Sequence, residues 1–156
     1  MSDVLKQTAF YVNWKFIYTE EELSRHFLDY YAYFELIWPN GHFRSGQYDV
    51  FIGYCGPSVC YPAHHHASDE IYFVLACQAL FESDGNAPAT FDPAILRSRA
   101  SHQPHSMTTI DKTILTFVLC RRRELSGRPQ SVKKRRYAHR PNRYYPEYGQ
   151  LTRRSL

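Results

Sequence analysis

The spacing of apolar positions changes near Phe34. Before it, Thr19-Glu20-Glu21-Glu22 reads as an N-cap with a capping-box glutamate three residues on. Leu23, Phe27 and Tyr30 or Tyr31 follow at helical spacing, which predicts a helix from about Glu20 to Tyr33. Phe10, Trp14 and Ile17 could line one side of a further short helix in an otherwise unpatterned start.

From Phe34 onward the apolar residues fall into short runs closed by turn residues. Phe34 to Trp38 ends at Pro39-Asn40-Gly41, Tyr48 to Tyr54 ends before Gly56-Pro57, and Val59 to His66 reads as extended. Glu70 to Phe81 is a long apolar run enriched in β-branched and aromatic residues and is expected to supply the central strands. Ser83-Asp84-Gly85-Asn86 marks a turn, Pro88 and Pro93 flank a poorly patterned connection, and Thr113 to Cys120 is the last clear strand. Many short strands separated by turns predict an all-β barrel or sandwich. The expected organisation is an N-terminal helical extension over 1–33, a barrel over 34–122 and a tail over 123–156.

Composition sharpens this picture at two points. The chain has 156 residues, enough for one domain with a real core, and it uses Tyr thirteen times and Phe ten, which favours strands. Its net charge of +4 hides a division: residues 1–120 carry 7 basic and 13 acidic side chains, whereas 121–156 carry 12 basic and 2 acidic. The tail, with its Arg121-Arg122-Arg123 and Lys133-Lys134-Arg135-Arg136 runs, has almost no aliphatic residues and is expected to be poorly ordered. No stacking platform accompanies its charge in an obvious way, so nucleic acid is not the expected partner. Cysteines stand at 55, 60, 77 and 120 without a C-x-x-C pair. With no secretory segment at Met1 to Ala9 and no apolar run near ~20 residues, the expectation is a cytoplasmic protein with reduced thiols and no membrane contact.

The chemistry concentrates in Tyr61-Pro62-Ala63-His64-His65-His66-Ala67-Ser68-Asp69-Glu70-Ile71-Tyr72. His64 and His66 are two apart, as are Glu70 and Tyr72, so in strands each pair shares a face. The link from Ala67 to Asp69 would let both pairs converge from neighbouring strands. A divalent first-row metal takes such a nitrogen and oxygen set, and a histidine from a distant strand would complete it. His105, held extended by Pro104 before the last strand, is favoured over His102 for that role. An unpaired Glu70 opening an apolar strand would be costly, and a metal would neutralise it. Tyr61 and Tyr72 are ambiguous from position alone, since a tyrosine at a barrel mouth often only packs.

The pattern H-x-H-x-x-x-E-x-Y, preceded by Tyr61-Pro62 and followed by Gln103-Pro104-His105-Ser106-Met107-Thr108, resembles the cupin-type lyases that cleave dimethylsulfoniopropionate. Phe34 to Phe43, Gly56-Pro57 and Glu70 to Ala76 also resemble that family, and the likeness runs from about Phe34 to Arg121. It implies a single small cupin-type β-barrel, or jelly roll. It also implies one divalent transition metal (iron(II), zinc or manganese) held by His66, Glu70, Tyr72 and His105, with His64 a further ligand or a neighbour of the ligands. Tyr72 and Tyr61 would be the candidate bases of a β-elimination that releases dimethyl sulfide and acrylate. The implied partner is a small carboxylate and sulfonium substrate, and a homodimer is compatible with the resemblance. The same ligands would also serve a cupin isomerase or dioxygenase acting on another small carboxylate, or a cupin that binds a metal or small ligand without turnover. Two turns depart from the family's pattern. Cys77-Gln78 stands where a glycine is usual, and a side chain there is expected to cost about 1 kcal/mol or force another turn; Asp92 to Arg97 replaces a Pro-Gly-Asp turn, and both changes bear on the regularity of the barrel.

Overall fold

The computed structural model describes residues 7, 9–39, 41, 43–121 and 130–131. Among them the helix α1 (Arg25–Tyr30) leads directly into ten strands: β1 (Tyr31–Ile37), β2 (Tyr48–Cys55), β3 (Cys60–His65), β4 (Asp69–Ala76), β5 (Ala79–Ser83), β6 (Asn86–Phe91), β7 (Leu96–Arg99), β8 (His105–Thr108), β9 (Ile114–Arg121) and β10 (Gln130–Ser131). They form two antiparallel five-stranded sheets, in the orders β1-β2-β9-β4-β7 and β10-β3-β8-β5-β6. From β2 to β5 and from β6 to β10 each connection crosses from one sheet to the other, as in a jelly roll. The all-β expectation holds, with two facing sheets rather than a closed barrel.

The centre of the first sheet is β9, which pairs with β2 from Tyr48↔Arg121 to Cys55↔Ile114 and with β4 from Asp69↔Arg121 to Ala76↔Leu115. Its alternation sends Ile114, Thr116, Val118 and Cys120 to the interior and Leu115 and Phe117 to the outer face. The interior between the sheets is filled at one end by Phe27, Leu28, Cys55, Val59, Val74, Ala79, Phe81, Met107 and Ile114, to which both sheets and α1 contribute. The outer face carries a smaller cluster around Ile52, Ala76 and Leu115. The N-terminal segment helps to cover that face: Trp14 packs edge-on against Phe34 at 5.2 Å and Tyr54 at 6.4 Å, and Lys15 bridges to Tyr33.

The helix expected over Glu20 to Tyr33 is shorter. The capping box exists, with the Thr19 amide donating to Glu22 Oε2 at 2.9 Å, but it closes a separate turn. Ser24 has an extended backbone, and its hydroxyl accepts from the Phe27 amide, so the helix starts anew at Arg25. It stops at Tyr31 because Tyr31-Ala32-Tyr33-Phe34 is an aromatic, strand-favouring run that pairs with β2. Phe10, Trp14 and Ile17 lie on no helix: the chain there turns and then runs extended. Strand pairing thus begins at Tyr31, three residues ahead of the expected boundary.

Glu70 to Phe81 is two strands in different sheets, broken at Cys77, whose φ of 58° is left-handed. Ala94, in the second atypical turn, has φ 70°. Both turns keep the conformation that glycine favours and fill it with a side chain. The basic stretch 123–156 lies outside the described residues apart from Gln130 and Ser131, which pair with His65 and His64. No helix of the described residues is long and apolar enough to cross a membrane, and Cys55, Cys60, Cys77 and Cys120 are all unpaired.

Candidate metal centre

Three of the expected residues meet through two strands of one sheet. His64 and His105 are register partners across β3 and β8, and His66 follows immediately after β3. One ring nitrogen from each of His64, His66 and His105 lies within 4.8 Å of the others. Between Tyr61 and His64 the pairing slips, so three residue steps on β3 match two on β8. This bulge, at Pro62, removes the parity that would otherwise send Tyr61 and His64 to opposite faces. Both turn inward, and their rings stack with centroids 4.2 Å apart.

The bulge and the Pro104 step give two histidines the same local bond. His64 Nδ1 lies 2.8 Å from the Pro62 carbonyl and His105 Nδ1 2.8 Å from the Gln103 carbonyl. A carbonyl only accepts, so each Nδ1 carries the proton and each Nε2 presents a lone pair. Burial, the leading cause in each case, lowers the pKa of His64 to about 4 and that of His105 to about 3, so both are neutral near pH 7. Burial pulls His66 down as well, but the adjacent Glu70 carboxylate outweighs it and leaves the pKa raised.

Glu70 comes from the facing sheet. The pairs His64/His66 and Glu70/Tyr72 therefore converge across the interior rather than from neighbouring strands, because Ala67 to Asp69 carries the chain between sheets. Its Oε1 is 3.3 Å from His66 Nε2 and its Oε2 is 3.5 Å from His105 Nε2. Donors bound to one ion at about 2.0–2.2 Å sit about 3–3.5 Å apart, so these separations suit ligands of a single metal. Burial raises the Glu70 pKa, but His66, His105 and Arg99 together bring it to about 2, leaving an ionised carboxylate. The Nε2 atoms of His66 and His105 are buried and make no hydrogen bond. The lone pairs on His64 and His105 Nε2, an ionised carboxylate and buried ring nitrogens without a hydrogen bond are what a divalent cation satisfies, and the three histidines could hold one.

Tyr72 and Tyr61 line the same cavity, of about 280 Å³, with His64, His66 and Glu70. Burial raises both phenols well above their ordinary pKa; the Glu70 carboxylate raises Tyr72 further and Arg99 opposes it. The Tyr61 hydroxyl lies 2.5 Å from that of Tyr18. The lining also includes Tyr31, whose ring lies 5.3 Å from that of Tyr61, and Tyr33, Trp38 and Phe51 together with Glu35 and Asp49. His102 is elsewhere: its amide donates to the His66 carbonyl at 2.7 Å, and its ring lies 5.6 Å from that of His65.

Three neighbours of the site had no signal in the expected motif. Arg99 is the register partner of Glu70 and reaches its Oε2 at 3.5 Å. Cys120 donates its thiol to Glu70 Oε1 at 3.7 Å, and burial, then the Glu70 charge, keeps that thiol protonated. Tyr18 lies in the N-terminal segment, 43 residues before its partner Tyr61. Arg99 alone could have been sought beforehand, because a buried carboxylate in a chain with only seven basic residues before position 121 needs one of them nearby.

The family model described as dimethylsulfoniopropionate lyase matches residues 1–116. The dimethylsulfoniopropionate lyase DddQ of Ruegeria pomeroyi is 32% identical over 108 residues, which are 69% of this chain and 54% of that protein. Its crystal structure superposes with a TM-score of 0.75 at 29% identity, covering 81% of this chain and 64% of the other. A chain from the crystal structures of the dimethylsulfoniopropionate lyases RdDddP and RnDddQII gives 0.79 at 37% identity, over 84% of this chain and 67% of that one. A cupin-2 domain of Rhodospirillum rubrum shares the fold at a TM-score of 0.62 and 15% identity, over 79% of this chain and 76% of its own length. The chain spans about half the length of the curated relative it matches. The two facing sheets are a cupin fold, and the chain belongs to the dimethylsulfoniopropionate lyase family.

Proposed function

We propose that this protein is a metal-dependent carbon–sulfur lyase that cleaves dimethylsulfoniopropionate to dimethyl sulfide and acrylate. One observation carries the reading: His64, His66, Glu70, Tyr61 and Tyr72 line a single cavity that aromatic residues also line. The family membership and the relatives' names supply the substrate.

His64, His66, His105 and Glu70 are the proposed ligands, with Tyr72 next to them in a ligand or base role. Iron(II), zinc or manganese suits this nitrogen and oxygen set. A divalent ion held there would bind the substrate carboxylate, stabilise the charge that develops as a proton leaves, and lower the pKa of a neighbouring phenol. Tyr72 is the proposed base. Its phenolate oxygen takes the proton from the carbon next to the carboxylate. The C–H electron pair becomes the new carbon–carbon double bond, and the C–S pair leaves on sulfur, so sulfonium becomes neutral dimethyl sulfide. The proton then passes from Tyr72 to solvent. Tyr61, stacked on His64, is the second candidate base. The aromatic side chains of Tyr33, Trp38 and Phe51 that also line the cavity suit a sulfonium, which is cationic and accepts no ordinary hydrogen bond.

The test is incubation of purified protein, loaded in turn with iron(II), manganese and zinc, with millimolar dimethylsulfoniopropionate. Acrylate and dimethyl sulfide should appear in equal amounts and stop when a chelator strips the metal. Neither product with any of the three ions would refute the reading.

A further inference from the structure

Among the described residues, Arg99 is the only arginine or lysine that is buried, at 4% exposure. It stands on β7 directly opposite Glu70, with its guanidinium 4.5 Å above the Tyr72 ring and 5.3 Å from the Phe81 ring. Among the described residues its ion pair is the 3.5 Å contact from Nη1 to Glu70 Oε2, and its Nε has no hydrogen-bond partner there. Arg99 stands behind Glu70 and Tyr72, which line the cavity, and is not itself among the lining residues. A buried guanidinium with so few bonds is expensive, and its single carboxylate is one that the proposed ion also uses.

We propose that Arg99 is a resident counter-cation for Glu70, a positioning residue that holds the carboxylate in place when the site is empty and competes with the metal for it when the site is filled. The inference rests on the metal reading above. Two oxygens of one carboxylate are involved: Oε1 faces His66, whereas Oε2 is shared between His105 and Arg99. A cation beside Oε2 supports the empty site, because Glu70 is a buried carboxylate whose other close polar neighbours there are ring nitrogens of His66 and His105 and the Cys120 thiol. The same cation repels a divalent ion arriving between Glu70 and the histidines. Removing it should therefore act with opposite sign on the two states, weakening the metal-free fold and tightening metal binding. A side chain present only for packing would weaken both.

Arg99→Met keeps an apolar stem against Tyr72 and Phe81 and removes the charge, while Arg99→Lys keeps the charge. The measurements are the zinc dissociation constant by chelator competition and the unfolding temperature of the metal-free full chain. Arg99→Met should bind zinc about tenfold or more tightly than wild type, as expected for loss of one unit charge a few ångströms away, and should unfold earlier without metal. Arg99→Lys should stay within about threefold of wild type in affinity. Unchanged or weaker zinc binding by Arg99→Met, or identical behaviour of the Met and Lys variants, would overturn the proposal. If Arg99→Met does not fold without metal, Glu70→Gln combined with Arg99→Met removes both charges and should fold; failure of the double variant as well would assign Arg99 to packing and overturn the proposal. A wild type that binds no zinc, iron(II) or manganese would overturn the metal reading itself, and this inference with it.

Discussion

Tyr72→Phe separates the hydroxyl that the proposed elimination needs from the ring that the fold needs. The ring lies under the Arg99 guanidinium at 4.5 Å and meets Phe81 edge-on at 5.8 Å, and phenylalanine keeps both contacts. The stability cost is then no more than one net hydrogen bond, about 1 kcal/mol, which in a domain of this size moves the unfolding temperature by roughly 2–4 °C. The rate cost is of a different order. Losing a positioned general base costs about 10²–10⁴-fold, or roughly 3–5 kcal/mol in the barrier. The assay is kcat from acrylate formation, with elemental analysis and thermal unfolding on the same preparations. The expected result is a loss of about a hundredfold or more with the metal retained and the fold intact. Tyr61→Phe should lose less, because its hydroxyl is already engaged with Tyr18 at 2.5 Å. His66→Ala should lose the metal along with activity. Turnover by Tyr72→Phe within a few-fold of wild type, with metal bound, would refute Tyr72 as the base. Metal loss equal to that of His66→Ala would make Tyr72 chiefly a ligand.

Ala94→Gly should stabilise the protein by about 0.5–1 kcal/mol, since Ala94 is exposed at φ 70° and the relief of left-handed strain exceeds the entropy that glycine adds to the unfolded chain; thermal unfolding reads this, and a lower midpoint would contradict it. Gly56→Ala should destabilise by about 1–3 kcal/mol in urea titration, because a Cβ there would lie 2.6 Å from Tyr30 Cδ1 and push a packed ring; a neutral result would mean that Tyr30 moves freely. Metal-free protein should lose stability as pH falls from about 6.5 toward 4, because unfolded histidines take up protons that His64 and His105 refuse in the fold until about 4 and about 3. Glu70, whose folded pKa is about 2, adds a loss that begins below its unfolded value and completes lower still, while His66, with its raised pKa, opposes the trend near neutrality. Stability that rises on acidification from pH 6.5 to 4 would contradict the assignment of neutral, buried imidazoles.

The strands that the sequence made legible are those whose interior face is apolar. In β2 and β9, alternation and β-branched residues mark both the element and its inward side. The strands it hid include β6, Asn-Ala-Pro-Ala-Thr-Phe, and β7, Leu-Arg-Ser-Arg. Both lie at sheet edges, where exposure removes the apolar pattern and proline is tolerated. The helix was overextended because the Thr19–Glu22 box is a sound start signal attached to a turn, and nothing local in Leu23-Ser24 announces the restart at Arg25.

The site divides along the same line. His64, His66, Glu70 and Tyr72 were visible because each pair repeats at the strand period within a few residues, whereas a contact between facing sheets has no period at all. Arg99 reaches Glu70 only because β7 pairs with β4, and Tyr18 reaches Tyr61 only because the N-terminal segment runs back beside β1. Tyr61 lies between these cases. Strict alternation would set it on the face opposite His64, and the bulge at Pro62 reverses that. The histidines come from one sheet, and Glu70, Tyr72 and Arg99 come from the other, so the gap between the sheets sets the distance from imidazole to carboxylate. Interior residues that fix this gap, such as Val59, Val74 and Met107, therefore bear on metal affinity without approaching the metal. Conversely, an ion bound between the sheets would tie them together, so loading it should raise the unfolding temperature of the whole domain and not only order the site.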